Sequence, residues 1–338
     1  MTQSFGSLPG GETARLYTIC GGGITAGISD FGATLVRLLV PDRNGRAGDV
    51  ALGFDTAGDY LKYGGCLGAT VGRNANRVGG SCLKVGEKTV RLTPNEGPNN
   101  LHSGPEYWYH RMWMVDRLTE SAITLALETP DGDQGFPGAG RVEVTYALTG
   151  GALRITYRGI FDQDTLLNMT NHTYFNLAGE DRPEAAMEQT LQIRAERFTQ
   201  VDEASIPTGR LLPVAGTALD FRRPKALKQD QEDSLLAPQG GIDHNFVLDP
   251  GEGPAARLVS RETGRILSVY TDCPGIQVYT ANFLEARGKG GRVYGRRSGV
   301  CLETQFYPDS PNHPQWPSPL VRAGEEKTSV TELVFGLC

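Results

Sequence analysis

The sequence predicts an all-β fold, a large antiparallel β-sandwich with few short helices, on three observations. Gly and Pro together are abundant, 44 and 20 of 338 residues, in a chain without low complexity. That much turn-former implies many short strands and tight corners. Apolar residues recur at alternate positions through much of the chain, the period of a strand with one buried face. Strand patterns do not alternate with amphipathic helical ones, so doubly wound and TIM-barrel folds are disfavoured. The elements follow in order. Ile123, Leu125 and Leu127 form one face of a strand. Val142, Val144, Tyr146 and Leu148 form another, and after Gly150-Gly151 the pattern resumes at Leu153, Ile155 and Tyr157, which reads as a hairpin. Leu191, Ile193 and Ala195 mark a further strand. Leu267 and Val269, then Ile276 and Val278, read as a pair around the turn Asp272-Cys273-Pro274-Gly275. The stretch Pro224 to Leu236 has Pro at its first position and is predicted to make about three helical turns. No repeat or linker interrupts the pattern, so residues 1–338 are expected to form a single domain.

Composition narrows the function. Lys+Arg number 33 against 39 Asp+Glu, a net charge of −6, and the pI is about 5.5. With no basic block, nucleic acids and anionic membranes are not expected partners. No apolar run approaches the roughly 20 residues that cross a bilayer, and the first residues lack the basic and apolar regions of a secretory signal. The six cysteines contain no C-x-x-C and are expected as reduced thiols in the cytoplasm. None of the five histidines stands at ligand spacing from a cysteine pair, so neither metal nor cofactor is expected. G-x-S-x-G, the P-loop and the dinucleotide fingerprint are missing, which removes the commonest hydrolase, phosphate-transfer and nicotinamide readings.

Five segments break the apolar alternation with polar side chains. Gly72 to Val78 (GRNANRV) supplies two Arg and two Asn, planar donors suited to hydroxyl-rich or carboxylate ligands or to the loop's own backbone. Asn95 to Gly104 delivers His102 on a turn-rich loop. Asn168 to Leu177 is polar on both faces, with Thr170, His172 and Tyr174 sharing one, which a purely structural strand rarely needs. In Gly241 to Phe246, Asp243 and His244 point to opposite faces of a strand and cannot form a dyad. Glu303 ends the apolar run Val300-Cys301-Leu302, where burial would raise its pKa toward that of a useful base, and a Pro-rich ordered loop follows. Taken singly, each segment also has a structural explanation.

In their order along the chain these segments resemble the aldose 1-epimerase (galactose mutarotase) family. The resemblance begins at Phe31-Gly32-Ala33 and Val40 to Gly45 (VPDRNG) and runs through GRNANRV, NNLHSG, TNHTYFNL, PTGRLLPV (207–214), LDFR (219–222) and GIDHNF. It ends with QVYTANF (277–283), ETQFYPDSPNHP and Ala323-Gly324-Glu325, covering nearly the whole chain. It implies that family's β-supersandwich with a site on a concave sheet, and the interconversion of α and β anomers of free hexoses such as glucose or galactose. By motif it implies Glu303 as general base and His172 as general acid. Asn76, Arg77, His102, Tyr174, Asp243 and Gln277 are implied as sugar-binding residues. The implied partner is a small aldose, with the chain a monomer or weak homodimer. The sequence departs from the family at Ser103-Gly104, where Gly-Gly is common, and at Trp316, where Phe is common. A carbohydrate-binding module, a glycosidase using Asp243 and Glu303, and a hexose-6-phosphate epimerase using Arg292, Arg296 and Arg297 are the competing readings.

Overall fold

The computed structural model describes residues 1–338 and is built from antiparallel sheets. A nine-stranded sheet runs, edge to edge, through Met114–Leu118, Ala122–Thr129, Gly140–Thr149, Ala152–Phe161, Glu326–Leu337, Arg265–Thr271, Ala256–Val259, Thr190–Ile193 and Lys225–Ala226. A six-stranded sheet runs through Tyr174–Phe175, Val300–Gln305, Gly275–Tyr279, Asp243–Val247, Arg197–Val201 and Pro207–Pro213. Side chains of alternate residues from the two sheets meet in one core. Val142, Val144, Tyr146, Ile155 and Val269 come from the first, and Phe246, Ile276, Val278, Val300 and Leu302 from the second. A buried hydroxyl pair, Thr304 with Thr331, bridges the sheets at 2.5 Å. The all-β sandwich expected from the alternation is what the chain builds.

The predicted hairpin is present in register, Leu148 opposite Leu153, with Gly150 and Gly151 at φ 57° and 83° in its turn. The pairing expected around Asp272–Gly275 is not. Strand Arg265–Thr271 pairs with Ala256–Val259 and Glu326–Leu337, whereas Gly275–Tyr279 pairs in the other sheet with Asp243–Val247 and Val300–Gln305. The turn therefore carries the chain from one layer to the other. Alternation marks each strand but carries no information on its partner.

The helix predicted over Pro224 to Leu236 does not form. Lys225–Ala226 adds to the edge of the nine-stranded sheet, and turns follow. The amides of Leu227 and Lys228 donate to the carbonyls of Gln189 and Met187, and Asp230 takes a left-handed φ of 61° that no helix accepts. Tertiary pairing outweighs a weak local propensity here. The one α-helix is Ala57–Tyr63, where the Thr56 hydroxyl accepts the Asp59 amide at 3.2 Å as N-cap.

A five-stranded meander, Thr2–Ser7 to Ala47–Asp49, packs onto this frame and contributes Ile19, Ile28, Leu35 and Leu38 to the same core. Arg265 ties the two together. Its guanidinium, buried at 3% exposure, donates to the carbonyls of Val40, Leu177 and Arg46 at 3.1, 2.9 and 3.2 Å. No helix is long and apolar enough to cross a membrane.

Candidate active site

Register within the six-stranded sheet assembles the site. Asn245 lies opposite Gln277 and Gln277 opposite Glu303, while Asp243 lies opposite Tyr279 and Tyr279 opposite Cys301. Phe246, Ile276, Val278, Val300 and Leu302 face the core, so the period of two sends Asp243, Gln277, Tyr279, Cys301 and Glu303 to the opposite, concave face. His172 ends the short strand Thr170–His172, paired with Ala69–Val71, and Tyr174 starts the next, paired with Cys301. Loops close the walls. Asn76 and His102 hold left-handed φ values of 62° and 56° and clasp each other: the Asn76 amide donates to His102 Nδ1 at 3.1 Å, and the His102 amide to the Asn76 carbonyl at 3.0 Å.

These parts enclose a cavity of about 290 Å³ lined by 14 residues. All eight residues expected from sequence line it: Glu303, His172, Asn76, Arg77, His102, Tyr174, Asp243 and Gln277. Its volume is at the small end of the roughly 300–1,000 Å³ usual for ligand sites, suited to one monosaccharide. A larger surface basin of about 760 Å³ around Asp220 to Asp230 has no apolar wall, and its Arg222 and Lys225 are already paired with acids.

Polar contacts fix the lining. Arg77 is forked onto Glu96 through Nε and Nη2 at 2.7 and 2.8 Å, leaving Nη1 3.7 Å from Asp243. Gln277 donates to Asp243 at 2.6 Å, and the Tyr174 hydroxyl to the Gly65 carbonyl at 2.8 Å. The His172 ring stacks on Tyr174, centroids 5.1 Å apart, and meets the edge of His102 at 5.5 Å. His172 Nε2 stands 3.5 Å from Glu303 Oε1. Glu303 Oε2 and Gln277 Oε1 are buried with no protein partner, two acceptors free for a ligand's hydroxyls.

Burial drives the electrostatics. It raises the Glu303 carboxyl well above the usual range, Asp243's charge adds to the rise, and Arg77 opposes it. It pulls His172 down to about 4, against the pull of its own carbonyl and of Asp243. His102 is also held well below its usual value by burial, then by the charges of His172 and Arg77. Burial opposes the charge on Arg77, but Glu96 and Asp243 more than offset it and raise its pKa.

His102, His172 and Glu303 bring one possible metal-ligand atom each within 4.8 Å of one another. The hydrogen bonding does not suit an ion. A ligating imidazole gives its second N–H to an acceptor, yet His102 Nδ1 receives the Asn76 amide proton. In the neutral ring Nε2 therefore keeps the hydrogen, a donor available to a ligand.

The comparisons follow the same line. The family model described as aldose 1-epimerase matches residues 15–334. The chain belongs to the aldose 1-epimerase family. Among its curated relatives, galactose mutarotase of Homo sapiens is 41% identical over 338 residues, covering 98% of this chain and 97% of the relative. The aldose 1-epimerase of Escherichia coli is 39% identical over 336 residues, covering 97% and 96%. Of solved structures, a GalM/aldose epimerase homologue from C. elegans matches with a TM-score of 0.89 at 34% identity, covering 95% and 98%. Galactose 1-epimerase from Lactobacillus acidophilus matches at 0.86 and 28%, covering 100% and 98%.

Several wall residues of this epimerase escape sequence reading. Tyr279 lies two residues beyond Gln277 on the same strand face, so the strand period points to it. Glu96 stands in the loop that delivers His102, and the need of a half-buried Arg77 for a carboxylate was its signal. Cys66, Leu101 and Phe283 carry no comparable mark. Conversely, Arg73 of the GRNANRV segment is a structural residue, fully buried and donating to Pro137 and Gly138 carbonyls and to Thr129 and Thr165.

Proposed function

We propose that this epimerase interconverts the α and β anomers of free aldohexoses, glucose and galactose among them, with Glu303 and His172 as the proton-transfer pair. The observation that carries the residue roles is their contact: a carboxyl and an imidazole 3.5 Å apart, both buried, in a cavity sized for a single sugar. Family membership and curated relatives at about 40% identity over nearly the full length carry the reaction itself.

In the ring form O1 and O5 share one carbon, C1. The Glu303 carboxylate takes the proton of O1, the O1 electrons form the C1=O1 double bond, and the C1–O5 bond breaks. O5 takes the proton of His172 Nε2. Rotation about C1–C2 turns the other face of the aldehyde to the O5 hydroxyl. On closure O5 attacks C1, His172 recovers the O5 proton and Glu303 returns its proton to O1. As neighbours 3.5 Å apart, the two groups serve the two oxygens on one carbon. Arg77, His102, Asp243 and Gln277 orient the other hydroxyls, with Asn76 and Tyr174 shaping the wall. Each positioned acid or base of this kind contributes typically about 10²–10⁴-fold in rate.

Polarimetry of freshly dissolved α-D-glucose and α-D-galactose tests the reading. Acceleration of mutarotation with no release of reducing sugar from glycosides is the expected result, and a rate equal to the spontaneous one refutes it. The 6-phosphate alternative finds no support. Arg292 is bonded to Glu180 and Arg296 to the Gly240 carbonyl, and neither they nor Arg297 line the cavity. Three further points complete the proposal. The chain acts as a monomer or weak homodimer. All six thiols are unpaired, in keeping with a reducing cytoplasm. The only partner required is the small aldose.

A further inference from the structure

The mechanism uses one nitrogen of His172 and leaves the other to be accounted for. On strand Val300–Gln305, Cys301 and Glu303 are two residues apart on the concave face, a separation of about 6.6–6.8 Å along a strand. The His172 ring spans that interval. Nε2 faces Glu303 Oε1 at 3.5 Å, and Nδ1 faces Cys301 Sγ at 3.4 Å. Cys301 is fully buried, and the thiol has no role in the chemistry set out above.

We propose that Cys301 is a positioning residue: its sulfur accepts the Nδ1–H of His172, fixing the tautomer in which Nε2 alone exchanges protons with Glu303 and the sugar. The argument starts from proton counting. Glu303 and His172 Nε2 share one exchangeable proton, held on oxygen in the neutral pair and on nitrogen in the ion pair. In both forms the ring's second hydrogen is on Nδ1, so its partner must accept. In many enzymes a carboxylate fills that place and stabilises the imidazolium. Here the partner is a thiol, a weak and uncharged acceptor. Burial, then the charge of Glu303, pushes that thiol well above its usual pKa, so it stays neutral. A neutral acceptor orients the ring without making it more basic, which keeps the imidazolium a strong acid toward O5. The other groups facing the ring fit this division. Tyr174 stacks on it, His102 and Tyr279 meet it edge-on at 5.5 and 6.2 Å, and its own carbonyl and then Asp243 favour its protonated form.

The kinetic consequence rests on the proposed roles of Glu303 and His172, but the tautomer does not, so it is read without substrate. Full-length protein with ¹⁵N-labelled histidine is compared as wild type, Cys301→Ser and Cys301→Ala, the His172 signals being assigned by their loss in His172→Asn. At neutral pH wild type and Cys301→Ser are expected to show a protonated Nδ1 and a pyridine-type Nε2, and Cys301→Ala a mixture of tautomers. In polarimetry Cys301→Ser keeps kcat within about threefold, whereas Cys301→Ala loses about tenfold with KM little changed, a loss set by the misplaced proton. A wild-type ring protonated on Nε2 with Nδ1 unprotonated overturns the proposal. So does a Cys301→Ala ring that keeps the wild-type tautomer, or equal losses in Ser and Ala, which would reduce Cys301 to packing.

Discussion

Glu303 and His172 are of opposite charge type, yet burial pushes both toward neutrality, the carboxyl upward and the imidazole down to about 4. In the proposed mechanism the pair is active with one proton between its members. As pH falls through about 4 a second proton enters and the base is lost; as pH rises through the elevated pKa of Glu303 the last proton leaves and the acid is lost. The expected kcat/KM profile is therefore bell-shaped, reporting the pair rather than either residue, and an alkaline plateau without a descending limb would contradict it. A second prediction concerns Glu96, whose carboxylate takes two of the three Arg77 nitrogens. Glu96→Gln frees Arg77 to collapse onto Asp243, raising KM for galactose about 5- to 150-fold, in line with the roughly 1–3 kcal/mol cost of unpairing a half-buried group; an unchanged KM would leave Glu96 without this role. Polar residues that interrupt an apolar alternation were legible as a site, and all eight that the motifs implied line one cavity. Glu96 was not, because its role depends on a contact made only after folding.

Strand periodicity does most of the work at the level of elements. It places Asp243, Gln277, Cys301 and Glu303 on one face while their neighbours fill the core. Gly275 shows how tightly this face is set. A Cβ there would lie 2.6 Å from Asn245 Oδ1 and 2.9 Å from the Tyr307 ring. Gly275→Ala is expected to destabilise the protein by about 1–3 kcal/mol through overpacking, measured by urea unfolding, and an unchanged midpoint would show that the neighbours yield freely. The strands themselves could be read from alternation, down to the register of the Gly150-Gly151 hairpin. The change of sheet at Asp272–Gly275 could not, because one alternating strand pairs as readily with another in either layer. The lost helix after Pro224 has a related cause: Leu227 and Leu236 are pinned in the core by turns, a long-range demand absent from the local pattern.

For the molecule as a whole, the meander, the nine-stranded sheet and the six-stranded sheet share one core of 52 buried residues. We propose that it unfolds as one unit. Arg265→Met removes three hydrogen bonds that join the layers, although the Leu177 and Arg46 carbonyls keep the Thr263 hydroxyl and the Asp42 amide as donors. At about 1.5–3 kcal/mol for each hydrogen bond made by a charged group, a loss of about 3 kcal/mol or more is expected, with calorimetry still showing one transition. Two separated transitions would refute the single unit. This frame matters to the proposed mechanism because Glu303 and His172 come from strands of different sheets, and the rigid packing of those sheets keeps them in contact.

The shared proton is tested most directly by galactose mutarotation rates of Glu303→Gln, His172→Asn and the double variant, with fold checked by circular dichroism. Each single change is expected to lower kcat at least about 100-fold, and the double to be little worse than either, since groups acting as a unit are non-additive. Near-native rates in the single variants, or losses that multiply in the double, would contradict a pair that works by passing one proton.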